Sequence, residues 1–324
     1  MKQVIIVVPK GDIDISSITG CFHVLHWANR YWQEMGHRPA IEIRLAGYER
    51  ELKLDFGFFS IHPLHIDEIK KTDLLIIPSL NQDYVPVIKK NQGLIDWISN
   101  QYKNGAELAS ICTGSFLLAA TGLLNGRNCS THWDAASDLQ RMFPDLQVRT
   151  DILTTAANGI YTNAGGYSFL NLALFLVEKY FDRQTAILCS KMFQIDMDRV
   201  SQSPFTVFKV QKNHNDDLIR QAQNYIEEKL NEKISFQALA FQLAISRRNF
   251  DRRFTKATGN SPVEYLQRVK VEVAKKALEE GKKPIFDVMN EVGYSDKKAF
   301  REVFKRITGM SPAEYRAKYN KETV

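Results

Sequence analysis

The chain has 324 residues, 44% apolar and 25% charged, the make-up of a globular protein too long for one ordinary core, so two or three domains are expected. Its longest apolar stretch, around "FLNLALFLVEKYF", is broken by Asn171, Glu178 and Lys179, and the opening "MKQVIIVVPKGD" lacks a secretory-signal pattern; neither a membrane span nor export is expected, which leaves the cytoplasm. The net charge of +6 is uneven, with 21 Lys+Arg against 21 Asp+Glu in residues 1–213 and 22 against 16 in residues 214–324, so the last third is either a solvated basic surface or the place for a polyanionic partner.

Read from the N-terminus, "VIIVVP" (Val4–Pro9), "IEIRLAG" (Ile41–Gly47), "DLLIIPS" (Asp73–Ser79) and "LASIC" (Leu108–Cys112) are short apolar runs rich in β-formers. Helix-compatible stretches separate them, such as "GLIDWISNQYKNG", which stops on Gly105. Strands without alternation, interleaved with helices, predict a parallel sheet buried on both faces. In "ELASICTGSFLLAATGLL" a strand ends at Cys112 and "TGS" turns into an apolar helix over Phe116–Ala120. An exposed strand-to-helix elbow is expected there, with the N–H groups of Thr113 and Gly114 near the Cys112 sulfur, where a thiolate is favoured. "STHW" supplies His132 twenty residues on. A cysteine so placed is structural or sensory, a nucleophile, or a redox-sensitive thiol, and the residues alone leave all three open. Cys21, Cys129 and Cys189 read as small core fillers. The four cysteines show no CxxC or Cys/His spacing, and His23 and His26 have no third ligand, so no disulfide, metal or cofactor is expected. "YSFLNLALFLVEKYFD" and "RQTAILCSKMFQI" are two amphipathic helices that close the domain.

"SQSPFTVFKVQKNHNDD" (Ser201–Asp217) then loses helical periodicity. The boundaries follow: a first domain over 1–206, a linker over 207–217 and a second domain over 218–324. The second domain repeats itself at a shift of fifty: Phe236, Phe250, Phe254, Thr258-Gly259, Ser261-Pro262 and Glu264-Tyr265 return as Phe286, Phe300, Phe304, Thr308-Gly309, Ser311-Pro312 and Glu314-Tyr315. One supersecondary unit is used twice. Ser235 can cap a short helix with Phe236, Leu239, Ala240 and Leu243 on one face, and Ser246 can cap a second that stops at Gly259. Phe250 and Phe254 face the core, so Arg248, Asp251, Arg252 and Thr255 project outward. This is a helix-turn-helix with a basic outer face, and in the second copy Asp296 is the expected cap, with Lys297, Lys298, Arg301 and Lys305 outward. Between the copies a helix from Pro262 stops at Gly281; at 1.5 Å per residue it is a rod of about 27 Å. Major-groove segments on one face of the duplex recur every ~34 Å, so two copies let one chain read two turns.

The stretch from Leu218 to Lys318, with "GYSDKKAFREVFKRITGMSPAEYR", resembles the DNA-binding domain of AraC/XylS-family transcription regulators. The resemblance implies that Arg248, Asp251 and Arg252 meet base edges, with Lys298, Arg301 and Glu302 their weaker counterparts; Arg247 and Lys297, at the helix starts, suit phosphate. One departure is Asn290, where the family has a small apolar residue, and looser packing of the second scaffold helix is expected there. Residues Val4–Phe205, through the elbow, "THW" and "SQSPF", resemble the ThiJ/PfpI branch of the class I glutamine-amidotransferase-like superfamily. This implies a flavodoxin-like sheet with helices on both faces and a ligand site at Cys112, Thr113, Gly114, His132 and Ser17. Family enzymes pair the cysteine and histidine with an acid, but Ser17 stands where that acid falls, and Asp14 is the nearest carboxylate. Together the resemblances imply a regulator that senses a small-molecule effector, binds double-stranded promoter DNA, meets RNA polymerase there and pairs as a homodimer through its first domain. An enzyme acting through Cys112 and His132 on an amide, nitrile or aldehyde is the alternative; an architectural DNA binder stands behind both.

Overall fold

The computed structural model describes residues 1–320 apart from Gln82 and Asn213. It divides into two compact units, Met1–Gln202 and Ser203–Val324.

In the first unit the elements run β1 (Lys2–Val8), α1 (Ile15–Glu34), β2 (Ile41–Gly47), β3 (Leu52–Leu54), β4 (Phe59–Ile61), β5 (Leu64–His65), β6 (Leu74–Ile77), α2 (Tyr84–Lys90), α3 (Gln92–Lys103), β7 (Glu107–Ile111), α4 (Ser115–Ala120), β8 (Asn128–Ser130), α5 (Ala136–Met142), β9 (Gln147–Arg149), β10 (Thr154–Ala157), β11 (Ile160–Asn163), α6 (Phe169–Tyr180) and α7 (Arg183–Phe193). The main sheet has the order β10-β11-β7-β6-β1-β2-β5, parallel throughout except for the β10–β11 pair. Its five central strands, β2-β1-β6-β7-β11, give the doubly wound flavodoxin order. Val4–Val8 and Leu74–Ile77 are buried on every residue, which is why these runs lack alternation. The helices between the strands form two groups, one for each face of the sheet: α6 and α7 pack with α1, while α2 and α3 pack with α4.

In the second unit α8 (Asp217–Glu228), α9 (Phe236–Gln242), α10 (Arg247–Thr258), α11 (Pro262–Glu280), α12 (Ile285–Glu291), α13 (Lys297–Thr308) and α14 (Pro312–Tyr319) form two cores. Tyr265 and Val269, in the first half of α11, pack with α8, α9 and α10; Val271, Ala274 and Leu278, in its second half, pack with α12, α13 and α14. One rod therefore belongs to both helix-turn-helix halves.

Two expectations need correction. The stretch expected as a linker, 207–217, belongs to the second unit: Phe208 packs on the first core, the Phe208 N–H donates to Glu272 at 3.0 Å, and Asp217 already begins α8. Low periodicity there reflects an irregular segment packed on the helices of the unit, not a free tether. Asn213, within that stretch, and residues 321–324 lie outside the described residues. Asn290 does not loosen a core, because its side chain is exposed. Its counterpart Ala240 is fully buried, and Phe236 is 7% exposed where Phe286 is 63%. The second scaffold helix thus presents a different face, burying Val288, Met289 and Val292.

Candidate nucleic-acid interface and elbow cleft

Apart from the exposed Phe286, the repeated residues turn out to be scaffold. Ser246 caps α10 by accepting from the Asn249 N–H, and Asp296 caps α13 by accepting from Lys298 and Ala299 at 2.7 and 3.0 Å. The Thr258 hydroxyl donates to Phe254 O at 2.9 Å and that of Thr308 to Phe304 O at 2.8 Å, before Gly259 and Gly309 stop each helix at φ 71° and 75°. Ser261-Pro262 and Ser311-Pro312 then start the next helix. The Tyr265 phenol donates to Glu227 at 2.8 Å and that of Tyr315 to Glu279 at 2.6 Å; burial, the larger cause, and the carboxylate push both phenols up.

What the repeat leaves free to vary faces outward. Phe250, Phe254 and Phe304 are fully buried and Phe300 is 2% exposed, while Arg248 and Arg252 on α10, and Lys297, Lys298, Arg301, Glu302 and Lys305 on α13, are exposed. Two of the expected readers are engaged. Arg247 Nε donates to both Asp251 oxygens at 2.9 Å, and its guanidinium lies 5.6 Å from the Phe236 ring centre. Arg252 reaches Asn249 Oδ1 at 3.1 Å. Arg253, which the sequence reading did not single out, turns the other way and grips Asp216 through two bonds of 2.9 and 2.7 Å.

The halves also touch directly. A Cβ on Gly293, in the second turn, would lie 2.9 Å from Leu230 O and from Asn231 O. The buried Lys270 donates to Gly293 O at 3.3 Å, and desolvation lowers its pKa.

In the first unit Cys112 follows β7 with φ 53°, a left-handed conformation uncommon outside glycine. Its neighbours hold it there. Thr131 Oγ1 donates to Cys112 O at 2.9 Å and accepts from Ser115 Oγ. The Thr113 hydroxyl donates to Leu80 O at 2.6 Å and accepts from Leu80 N at 2.8 Å. A Cβ on Gly114 would meet Pro78 O at 2.5 Å, so only glycine lets the elbow seat against the end of β6. The expected exposed thiol is a buried one: Cys112 is 8% exposed, and its sulfur enters no hydrogen bond among the described residues. Ser17 is buried as well, its hydroxyl donating to Asp14 O and accepting from Ser79 N. Asp14 caps α1, accepting from Ser16 N and Ser16 Oγ at 2.9 and 2.6 Å. Burial pushes the thiols of Cys21, Cys129 and Cys189 up to about 12.

Beside the elbow, at the carboxyl ends of β6 and β7, lies a cleft of about 480 Å³. Of the expected ligand residues only Thr113 and His132 line it; Asp83, Tyr84, Asp134, Asp138 and Arg141 join them, unforeseen from the sequence. Tyr84 lies on α2 and Asp138 and Arg141 on α5, short helices without a motif, while Asp83 immediately precedes α2 and Asp134 lies in the turn after His132. His132 Nδ1 accepts from the Asp134 N–H at 3.1 Å, and Gly165 has no Cβ because one would fall 1.7 Å from His132 Cδ2. Tyr84 stacks on Phe116 at 3.7 Å, and burial first, then the nearby Cys112, Asp138 and Asp134, push its phenol up to about 12.

Residues 239–318 match the helix-turn-helix domain family of AraC type, and residues 54–174 match the DJ-1/PfpI family. The chain joins a DJ-1/PfpI domain to an AraC-type domain. It is similar to the HTH-type transcriptional regulator GbdR of Pseudomonas aeruginosa, 27% identical over 68% of this chain and 60% of that one, so the match leaves two fifths of GbdR uncovered. It is likewise similar to the HTH-type transcriptional regulator CdhR of the same species, 25% identical over 78% of this chain and 74% of CdhR. The crystal structure of an AraC family transcriptional regulator from Pseudomonas putida shares the fold with a TM-score of 0.51 at 17% identity, covering 60% of this chain and all of that one. DJ-1/PfpI folds include enzymes, whereas these relatives are named as regulators. Among the described residues no helix is long and apolar enough to cross a membrane.

Proposed function

We propose that the chain is a sequence-specific DNA-binding transcription regulator whose DJ-1/PfpI domain responds to a small-molecule effector. One observation carries the reading: between the two halves of the AraC-type domain the scaffold residues are repeated, while the outward residues of the reading helices are not. Arg248, Asp251 and Arg252 stand where Lys298, Arg301 and Glu302 stand fifty residues later. Two helices with different donors and acceptors suit two different half-sites read by one chain. Arg248 and Arg252 fork onto guanine; Asp251 accepts from cytosine only after releasing Arg247. Arg301 is the stronger base reader of the second helix, and Lys297 and Lys298 hold phosphate.

The effector site is the cleft at Thr113 and His132, at the carboxyl edge of the sheet where doubly wound folds take ligands. Catalysis through Cys112 is not part of this reading, since a buried sulfur that makes no hydrogen bond to a base, with Ser17 where the family acid falls, lacks activation. The test is footprinting of the purified full chain on its own genome, with competition by random DNA and with and without candidate metabolites. Discrete protected sites carrying two unlike half-sites are expected. Uniform coverage that random DNA competes away would leave a non-specific binder, and turnover of an amide, nitrile or aldehyde abolished by Cys112→Ser would restore the enzyme.

A further inference from the structure

The chain between Ser203 and Asp216 is laid across the whole helical unit. At one end Pro204 O accepts from the Tyr319 phenol at 2.9 Å, and Lys318 Nζ lies 4.4 Å from the Phe205 ring centre, both on α14 of the second half. In the middle Thr206 O accepts from Lys275 Nζ at 2.6 Å and the Phe208 N–H donates to Glu272 at 3.0 Å. Lys275 and Glu272, one turn apart on α11, are themselves 2.8 Å apart, and Lys275 is only 4% exposed. Farther on, Phe208 stands edge-on to Tyr265, Gln211 O accepts from Gln223 at 3.0 Å, and Asp216 holds Arg253 of the reading helix α10. One segment thus touches the second half, the shared rod and the first half in turn.

The residue before it is fixed to the candidate effector site. Gln202, 2% exposed, donates from Nε2 to Thr131 O at 2.9 Å and accepts at Oε1 from the Trp133 N–H at 3.2 Å. Its amide grips the backbone on either side of His132, and Ser203 follows by a peptide bond.

We propose that residues 203–216 are a strap that passes a displacement of the His132 loop to the two reading helices, with Gln202 as its grip and the Lys275–Glu272 pair as its clasp. The clasp gives the strap two discrete arrangements, because a buried ammonium that has lost Thr206 O is left under-satisfied and favours full seating or full release. The coupling is mechanical and covalent, so it requires only that the effector favour one position of the loop. This rests on the reading of the cleft as the effector site and of the helical unit as the DNA binder.

The experiment uses the full chain and two readouts: amide hydrogen exchange of peptides within 203–216, which needs neither DNA nor effector, and affinity for footprinted DNA. Gly165→Ala drives a methyl into the His132 ring, and His132→Ala removes the ring where the first variant does not fold. Either is expected to speed strap exchange by about tenfold and to change DNA affinity, and both effects should vanish when Gln202→Ala is added. Lys275→Met should release the strap whatever stands at position 202. Strap exchange indifferent to the His132 site, or equally responsive with and without Gln202, overturns the proposal. So does DNA affinity that stays constant while Lys275→Met frees the strap. Failure of the unsubstituted chain to bind any DNA would instead sink the proposed function, and the exchange arm would still decide the strap.

Discussion

Arg248 is exposed, and no ion pair holds it among the described residues, so its guanidinium is available without breaking anything. Arg248→Ala should therefore cost about 1–3 kcal/mol on the specific site and flatten preference at one base pair, while Lys298→Ala, losing a phosphate contact, should weaken all sequences alike; titration against a panel of single-base variants separates the two. Arg253 offers a contrast at the same scale. Above all, the hydrogen bonds from its guanidinium hold the Asp216 carboxyl below the usual carboxylate range. A depressed folded pKa means the stabilisation is fully present above the unfolded value of about 3.9 and is lost as pH falls through the folded one. Asn keeps the helix cap, so Asp216→Asn should lower stability at pH 7 by on the order of 1 kcal/mol after solvent screening. In denaturation series from pH 7 to 3 that gap should close only below about pH 4; a gap that widens on acidification would contradict the assignment.

At the level of elements, the two halves are alike in punctuation and unlike in packing. Phe254→Ala should cost about 3–5 kcal/mol through the cavity it leaves, whereas Phe286→Ala, at 63% exposure, should stay within about 0.5 kcal/mol; the Phe236–Phe286 match in the repeat would have predicted equal losses. Urea midpoints of the two variants decide it. The same contrast shows what the sequence could convey. Caps, stops and buried strands were legible because each is set by local chemistry: Ser246, Gly259, Asp296 and the unalternating run Val4–Val8 all behave as their residue types dictate. The rotation of α12, which leaves Asn290 in solvent, was not, because it depends on which face the second half of α11 offers. For the same reason the cleft was only half legible. Thr113 and His132 sit in a recognisable motif, while Tyr84, Asp138 and Arg141 reach it from helices that tertiary packing alone brings near. The burial of Cys112 follows from the seating of Gly114 on β6, a contact no spacing rule announces.

For the whole molecule, the proposed function and the charge imbalance together predict that polyanion binding resides in the helical unit. A fragment starting at Ser203 should bind duplex DNA with log affinity falling steeply against log salt, about 0.9 per phosphate neutralised, and residues 1–202 should not bind; a salt-independent affinity, or binding by the first fragment, would reverse the assignment. Where the seam falls also governs how such genes can recombine. A graft of a foreign sensor at Asp217 would leave the enclosed Lys275 with Glu272 alone and uncover the Tyr265 ring, so the inherited reader would arrive already damaged. A crossover at the Gln202–Ser203 peptide hands it over complete but discards the grip on the old sensor. On the strap proposal, the crossover window for exchanging the first unit is therefore narrow, and a replacement joined there would have to supply its own hold on the same fourteen-residue lead.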